Sequence, residues 1–259
     1  MIKKIYYLLL LLILISSSCI RYRDITYFRD VARTPNDSIF KNSFKEYKIQ
    51  IADVLYIKVT TLEESINAIF NQASSQGQSS LVIGGFYVIG YPVDVEGNIA
   101  LPIIGKVPVA GLTVKQIQTA VEKQSEKFLT NAKIDVRLVS FKITLLGQLN
   151  HVGQINVFAD RANIFEALAL GGDISTYGNR HTVLILRPDK SGGSVAHRFD
   201  LSNRSILTSE YFYLQPNDII YVEPMKITGF RLSISDYALL ISALTTTVSI
   251  IFLIKNLYK

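Results

Sequence analysis

Residues 237–254 run for eighteen positions without one charged side chain. A stretch of that kind must span a bilayer or be buried on every side, so it restricts what the rest of the chain can build around it. As a helix it rises about 27 Å at 1.5 Å per residue, close to the hydrocarbon thickness of roughly 30 Å. The expectation is a transmembrane helix over 236–255, with Tyr237 and Tyr258 at the two interfaces and Lys255 and Lys259 beyond. Its polar residues are patterned. Ser242, Thr245, Thr246 and Ser249 fall at i, i+3, i+4 and i+7, one stripe of a helix. Such hydroxyls either bond back to their own helix or serve packing and hydration on one face. The spacing supports both.

A second apolar stretch opens the chain. Lys3 and Lys4 precede Ile5 to Ile15, a basic region and an apolar core with the dimensions of a signal peptide. Ser16, Ser17 and Ser18 follow, then Cys19, the sole cysteine of 259 residues. A lone cysteine excludes an internal disulfide. Its position after the apolar core resembles a bacterial lipobox, with Ser16 where that signal usually has Leu. The resemblance implies removal of residues 1–18 and a diacylglycerol on Cys19. Acyl chains hold a protein to a membrane at about 0.8 kcal/mol per buried methylene. Ile20 and Arg21 follow the cysteine in place of the aspartate that retains such lipoproteins in the inner membrane, which points to the outer membrane.

The formal charge is +6, part of it from Lys3 and Lys4. That is too mild, and too unclustered, for a nucleic-acid partner. His151, His181 and His197 have no ligand spacing with carboxylates, and no cofactor is expected beyond the covalent lipid. Paired carboxylates, a Ser/His/Asp pattern and a phosphate loop are absent from the sequence, and the Gly-Gly pairs at 84–85, 171–172 and 192–193 sit in turn contexts. The sequence therefore reads as that of a non-enzyme.

Between the ends lie two β-rich stretches. Residues 19–45 are polar and read as a tether. In "YKIQIADVLYIKV" (47–59) the second half alternates as a strand does. "NQASSQGQSS" (71–80) is a low-complexity loop. "YPVDVEGNIALPIIGKVPVAGLT" (91–113) holds short strands cut by Gly and Pro. Thr113 and Gln116 form a capping box for a helix with Val114, Ile117, Val121 and Phe128 on its apolar side. "KIDVRLVS" (133–140) alternates as a half-buried strand. From 141, two strands flank a turn at 150–153, a helix over 163–170 ends at Gly171-Gly172, and three more strands lead to 224. One unit recurs: 49–57 aligns without gaps on 214–222, placing Asp53 on Asp218 and Tyr56 on Tyr221. The aspartate suits a turn.

Together these residues resemble the outer-membrane polysaccharide export protein family. The run V-D-x-x-G-x-I-x-L-P-x-I-G-x-V-x-V-x-G-L-T over 93–113 is the most specific match. The strand entry over 47–59 is similar too, with Ala52 where the family usually has Gly. The resemblance implies an α+β chain: a β-rich export-sheath domain over 46–140, then a soluble-ligand-binding (SLBB) β-grasp domain over 141–225. A linker over 226–235 and the C-terminal transmembrane helix over 236–255 follow. In the second domain, His151-Val152 and Asn217 stand where the family has other turn residues. By resemblance, copies form a closed ring, an octamer in the family's type member, with a shorter stalk here because one β-grasp module is present. The ring would export capsular or exopolysaccharide across the outer membrane, with an inner-membrane copolymerase/tyrosine kinase as partner. The Ser242, Thr245, Thr246 and Ser249 stripe would then face the pore or neighbouring helices. The other reading is a lipid-anchored β-grasp receptor for a soluble glycan, with the last helix as a tether.

Overall fold

The computed structural model describes residues 25–31, 38–42, 44–70, 90–189, 192–226, 241–243, 245–247, 249–250 and 253–254. The expected signal peptide, Cys19, the 71–80 loop, Tyr237 and Tyr258 lie outside the described residues.

The chain is α+β, with two hydrophobic cores that meet at Leu138, which packs against both. In the first module, β1 (Val54–Thr60) lies between β2 (Tyr91–Pro92) and β5 (Lys133–Leu138), antiparallel to each. Alternation drives the burial: Leu55, Ile57 and Val59 are buried while Lys58 and Thr60 face water. A short helix, α1 (Glu64–Phe70), follows β1. The hairpin of β3 (Asn98–Leu101) and β4 (Gly105–Pro108) stands beside this sheet.

Helix α2 (Val114–Ser125) covers the core with Ile117 and Val121, both fully buried. It begins as expected. The Thr113 hydroxyl accepts from the Gln116 N–H, and the Gln116 side chain accepts from the Thr113 N–H. Its end departs from expectation. The helix stops at Ser125, so Phe128 leaves the apolar face and is 53% exposed; Leu129 fills the core instead. The 3.6-residue period holds only while the helix continues, and the Phe128 and Leu129 amides both turn back to the Ser125 carbonyl.

The second module is a five-stranded mixed sheet in the order β7-β6-β10-β8-β9. Its strands are β6 (Lys142–Gly147), β7 (Gly153–Asn156), β8 (Gly178–Pro188), β9 (Ser194–Phe199) and β10 (Ile219–Pro224). First and last strands, β6 and β10, are parallel neighbours, and every other pair is antiparallel. Helix α3 (Ile164–Leu170) contributes Ile164, Ala167 and Leu168 to the core, as its spacing predicts. A capping box absent from the sequence reading starts it, with Asn163 and Glu166 in the two roles.

Gly147, at the end of β6, takes φ +88°, and a Cβ there would lie 2.1 Å from the Val222 carbonyl oxygen. Only glycine lets β6 and β10 stay paired at this point.

The described residues between 241 and 254 are helical and exposed. Among the described residues no helix is long and apolar enough to cross a membrane. The expected span over 236–255 falls partly outside them.

Candidate functional site

The repeated unit builds the same turn twice. Ala52 and Asn217, one residue before each aspartate, take φ +70° and +66°. Each aspartate then accepts the amide three residues back: Gln50 N–H to Asp53 and Gln215 N–H to Asp218, both at 2.8 Å. Each is almost fully buried, at 3% and 0% exposure. The two carboxylates differ in their further partners. Asp53 accepts from the Tyr47 hydroxyl at 2.9 Å and the Ser140 hydroxyl at 3.1 Å. Asp218 takes both arms of Arg187, at 2.9 and 2.7 Å. Burial pushes both acids above the usual carboxylate range, and the hydrogen bonds oppose it. Burial and the Asp53 charge likewise push the Tyr47 phenol up. These aspartates are turn and junction elements: Ser140 also accepts the Val54 amide, so Asp53 fastens β1 to the segment that leads into the second module.

A second junction involves the stretch expected as a tether. Residues 25–31 and 44–45 are irregular, as their polar composition predicts, but they are docked on the second module. Tyr27 and Phe28 pack against its core, with Phe28 and Phe165 ring centroids 4.8 Å apart. The Phe28 and Arg29 amides donate to the Leu201 and Ser202 carbonyls, at 3.3 and 2.8 Å. The Arg204 amide donates to the Asp30 carboxylate at 2.8 Å. Tyr27 covers the buried Arg180 guanidinium at 5.0 Å and hydrogen-bonds Asp173. Further along, Phe44 meets Tyr213 edge-on, Arg161 lies over both rings, and Lys45 pairs with Glu210. Polar composition hid this docking, because two aromatic residues carry it.

Ser202, His181 and Asp200 come together beneath this strap, in an arrangement the sequence reading did not find. The Ser202 hydroxyl is 3.2 Å, and the Asp200 carboxylate 3.1 Å, from the same ring nitrogen, Nδ1 of His181. A base that activates a serine and is oriented by an acid uses its two nitrogens separately. This cluster does not have that geometry. Burial tends to raise Asp200, but bonds from Ser202 and His181 hold it below its ordinary value. Its evident task is to shape the Ser202 end of the clamp, where Arg29 donates to the same hydroxyl at 2.9 Å.

Among the described residues no cluster of His, Cys, Asp and Glu could hold a metal ion. In the C-terminal segment, Thr245 and Thr246 hydroxyls donate to the Ser242 carbonyl at 2.9 and 2.7 Å, and Ser249 donates to Thr245 at 2.8 Å. The stripe is thus on the helix surface with these three hydroxyls satisfied within the helix.

Residues 41–139 match the family model described as polysaccharide biosynthesis/export protein. The chain carries a domain of that export family. The matched segment contains the 93–113 signature, the β3–β4 hairpin and the Asp53 turn. It ties the chain to polysaccharide export, with polysaccharide as the substrate class.

Proposed function

We propose that this chain is an outer-membrane lipoprotein, anchored through Cys19, whose copies form a ring-shaped channel for capsular or exopolysaccharide. The observation that carries the reading is the export domain over 41–139, joined to a second module whose sheet order supports the soluble-ligand-binding β-grasp assignment. The 236–255 segment would act as one stave of a helical barrel. Ser242, Thr245, Thr246 and Ser249 would line one face, offering a passing glycan hydroxyls and no charge. An inner-membrane copolymerase/tyrosine kinase would deliver the polymer. In this role the protein performs no chemistry; it supplies a wide hydrated passage.

Electron microscopy of the detergent-purified protein tests the reading. A ring with a central lumen supports it; a strict monomer, together with capsule still displayed by cells lacking the protein, overturns it.

One observation favours a second reading. The stripe hydroxyls are already bonded within their own helix, as they would be in a plain tether. In that case the protein is a lipid-anchored β-grasp receptor for a soluble glycan. Removal of residues 236–259 separates the two: a receptor keeps glycan binding, whereas a channel loses export.

A further inference from the structure

The second module has two distinct ends. One is its junction with the export domain, where β6 and β10 begin and β8 finishes. Tyr213 and Glu210 meet Phe44 and Lys45 there. At the other end β6 and β10 finish and β8 begins, because Val222 pairs with Gly147 and Pro224 with Gly178. Both routes to the proposed membrane attachments leave from this far end. Tyr27, eight residues after Cys19, sits on Asp173 and Arg180. The Met225 amide, just past β10, donates to the Tyr177 carbonyl at 2.8 Å. A single loop, 173–178, therefore receives the chain coming from Cys19 and releases the chain going to the terminal helix.

That end carries apolar side chains that nothing in the fold requires to be outside. Val152 is 60% exposed at the tip of the β6–β7 hairpin, and Leu170 is 56% exposed at the end of α3. The two belong to one surface: the His151 amide donates to the Gly171 carbonyl at 2.8 Å, and the Asn150 amide to the Asp173 carbonyl at 3.1 Å. Eight extended residues span at most about 29 Å, so an acylated Cys19 keeps this surface within that distance of the lipid. Lys226, beside the exit, is exposed, and Arg21, Arg23 and Arg231 outnumber Asp24 in the connecting sequences, which suits an anionic bilayer.

We propose that the far end of the second module, presented by Val152 and Leu170, is a membrane-contacting surface that rests on the bilayer. The inference depends on the reading of Cys19 and the terminal helix as membrane attachments, and goes beyond it by assigning the contact to a folded surface. The leash alone would permit many orientations; two attachments at one end, with apolar side chains beside them, select one.

The test uses the full-length acylated protein in vesicles of phosphatidylethanolamine and phosphatidylglycerol with brominated acyl chains. Cys19 is the sole cysteine and is blocked by its lipid, so an introduced cysteine takes a fluorophore alone. Labels go on Val152→Cys, Leu170→Cys and, as a control, Leu62→Cys. Leu62 is 91% exposed and follows the end of β1 remote from Ser140. Quenching at Val152 and Leu170 of about twofold or more over Leu62 is expected for side chains that enter the interface. If the protein floats with the vesicles and all three labels are quenched alike or not at all, the contact is refuted while the anchor reading stands. If the protein does not float, the anchor reading and this inference both fall.

Discussion

The docked strap over 25–31 should be released by one substitution, Phe28→Ala. Phe28 is half-buried against Phe165 and the second core. Complete loss of a buried phenyl ring costs about 3–5 kcal/mol, so a half-buried one is worth about 1.5–2.5 kcal/mol. Phe28 also sits at φ +50°, a conformation that costs any residue with a Cβ. Alanine keeps the Cβ, so that penalty cancels and the substitution reports packing alone. At 1.36 kcal/mol per decade, local opening of the strap rises about 10- to 70-fold. Hydrogen exchange of the full-length protein in detergent reads this directly, because the Phe28 and Arg29 amides are bonded to Leu201 and Ser202. Exchange in the peptide covering 26–31 should accelerate by that factor while β6 and β10 keep their protection. Phe28→Gly should open the strap less, since it relieves the φ penalty as it removes the ring. Unchanged exchange in Phe28→Ala would show that aromatic packing does not hold the strap and that the backbone bonds suffice.

Other expectations follow from the turns and the sheet. Gly147→Ala should destabilise the second module by more than about 3 kcal/mol, because the Cβ meets the Val222 carbonyl at 2.1 Å in addition to the positive φ; chemical denaturation checks it, and a change under 1 kcal/mol would refute the clash. Ala52→Gly should stabilise the first module by about 0.5–1 kcal/mol, the relief of φ +70° less the added unfolded-state entropy. Asn217→Gly should change stability less, because asparagine tolerates that region. For Asp53, burial raises the native pKa above the unfolded one, so the native state binds the extra proton and stability falls as pH rises from the unfolded value through the raised one. The stability of the native chain relative to Asp53→Asn should therefore be greatest in mild acid and decline as pH rises; thermal unfolding across pH 4 to 7 gives the sign, and a rising difference would refute it.

What the sequence made legible was whatever is local and periodic. The Thr113–Gln116 box, the alternation in β1 and the inward face of α3 each depend on residues a few positions apart, and each stands in the structure as its spacing predicts. The Phe128 misassignment has the opposite cause: nothing in the period itself marks where the helix ends, and only the return of two amides to Ser125 ends it. The strap was illegible for another reason. Its partners, Phe165, Asp173 and Ser202, lie more than 130 positions away, and docking is carried by two aromatic residues inside a polar stretch. The apolar far end was equally hidden, since Val152 and Leu170 come together only when the hairpin folds against the end of α3.

The repeated turn shows how far a local pattern constrains chemistry. The backbone demands one thing at both sites: a carboxylate, buried at the start of a strand, accepting the amide three residues back. It leaves the rest of the carboxylate to the surroundings. At Asp218 the rest is taken by Arg187, so the charge is matched by a guanidinium that is itself covered by Tyr211 at 4.8 Å. At Asp53 it is taken by the neutral hydroxyls of Tyr47 and Ser140, which reach it from either side of the junction between modules. A guanidinium offsets the desolvation of a buried carboxylate with charge as well as hydrogen bonds; hydroxyls offer hydrogen bonds alone. Burial raises both carboxylates, so both copies of the turn are linked to pH in the same direction, and they differ in partner: a guanidinium in the second module, two hydroxyls in the first. The family match covers the Asp53 copy, so the hydroxyl-held corner lies within the export domain, at the point where that domain is fastened to the module proposed to meet the membrane.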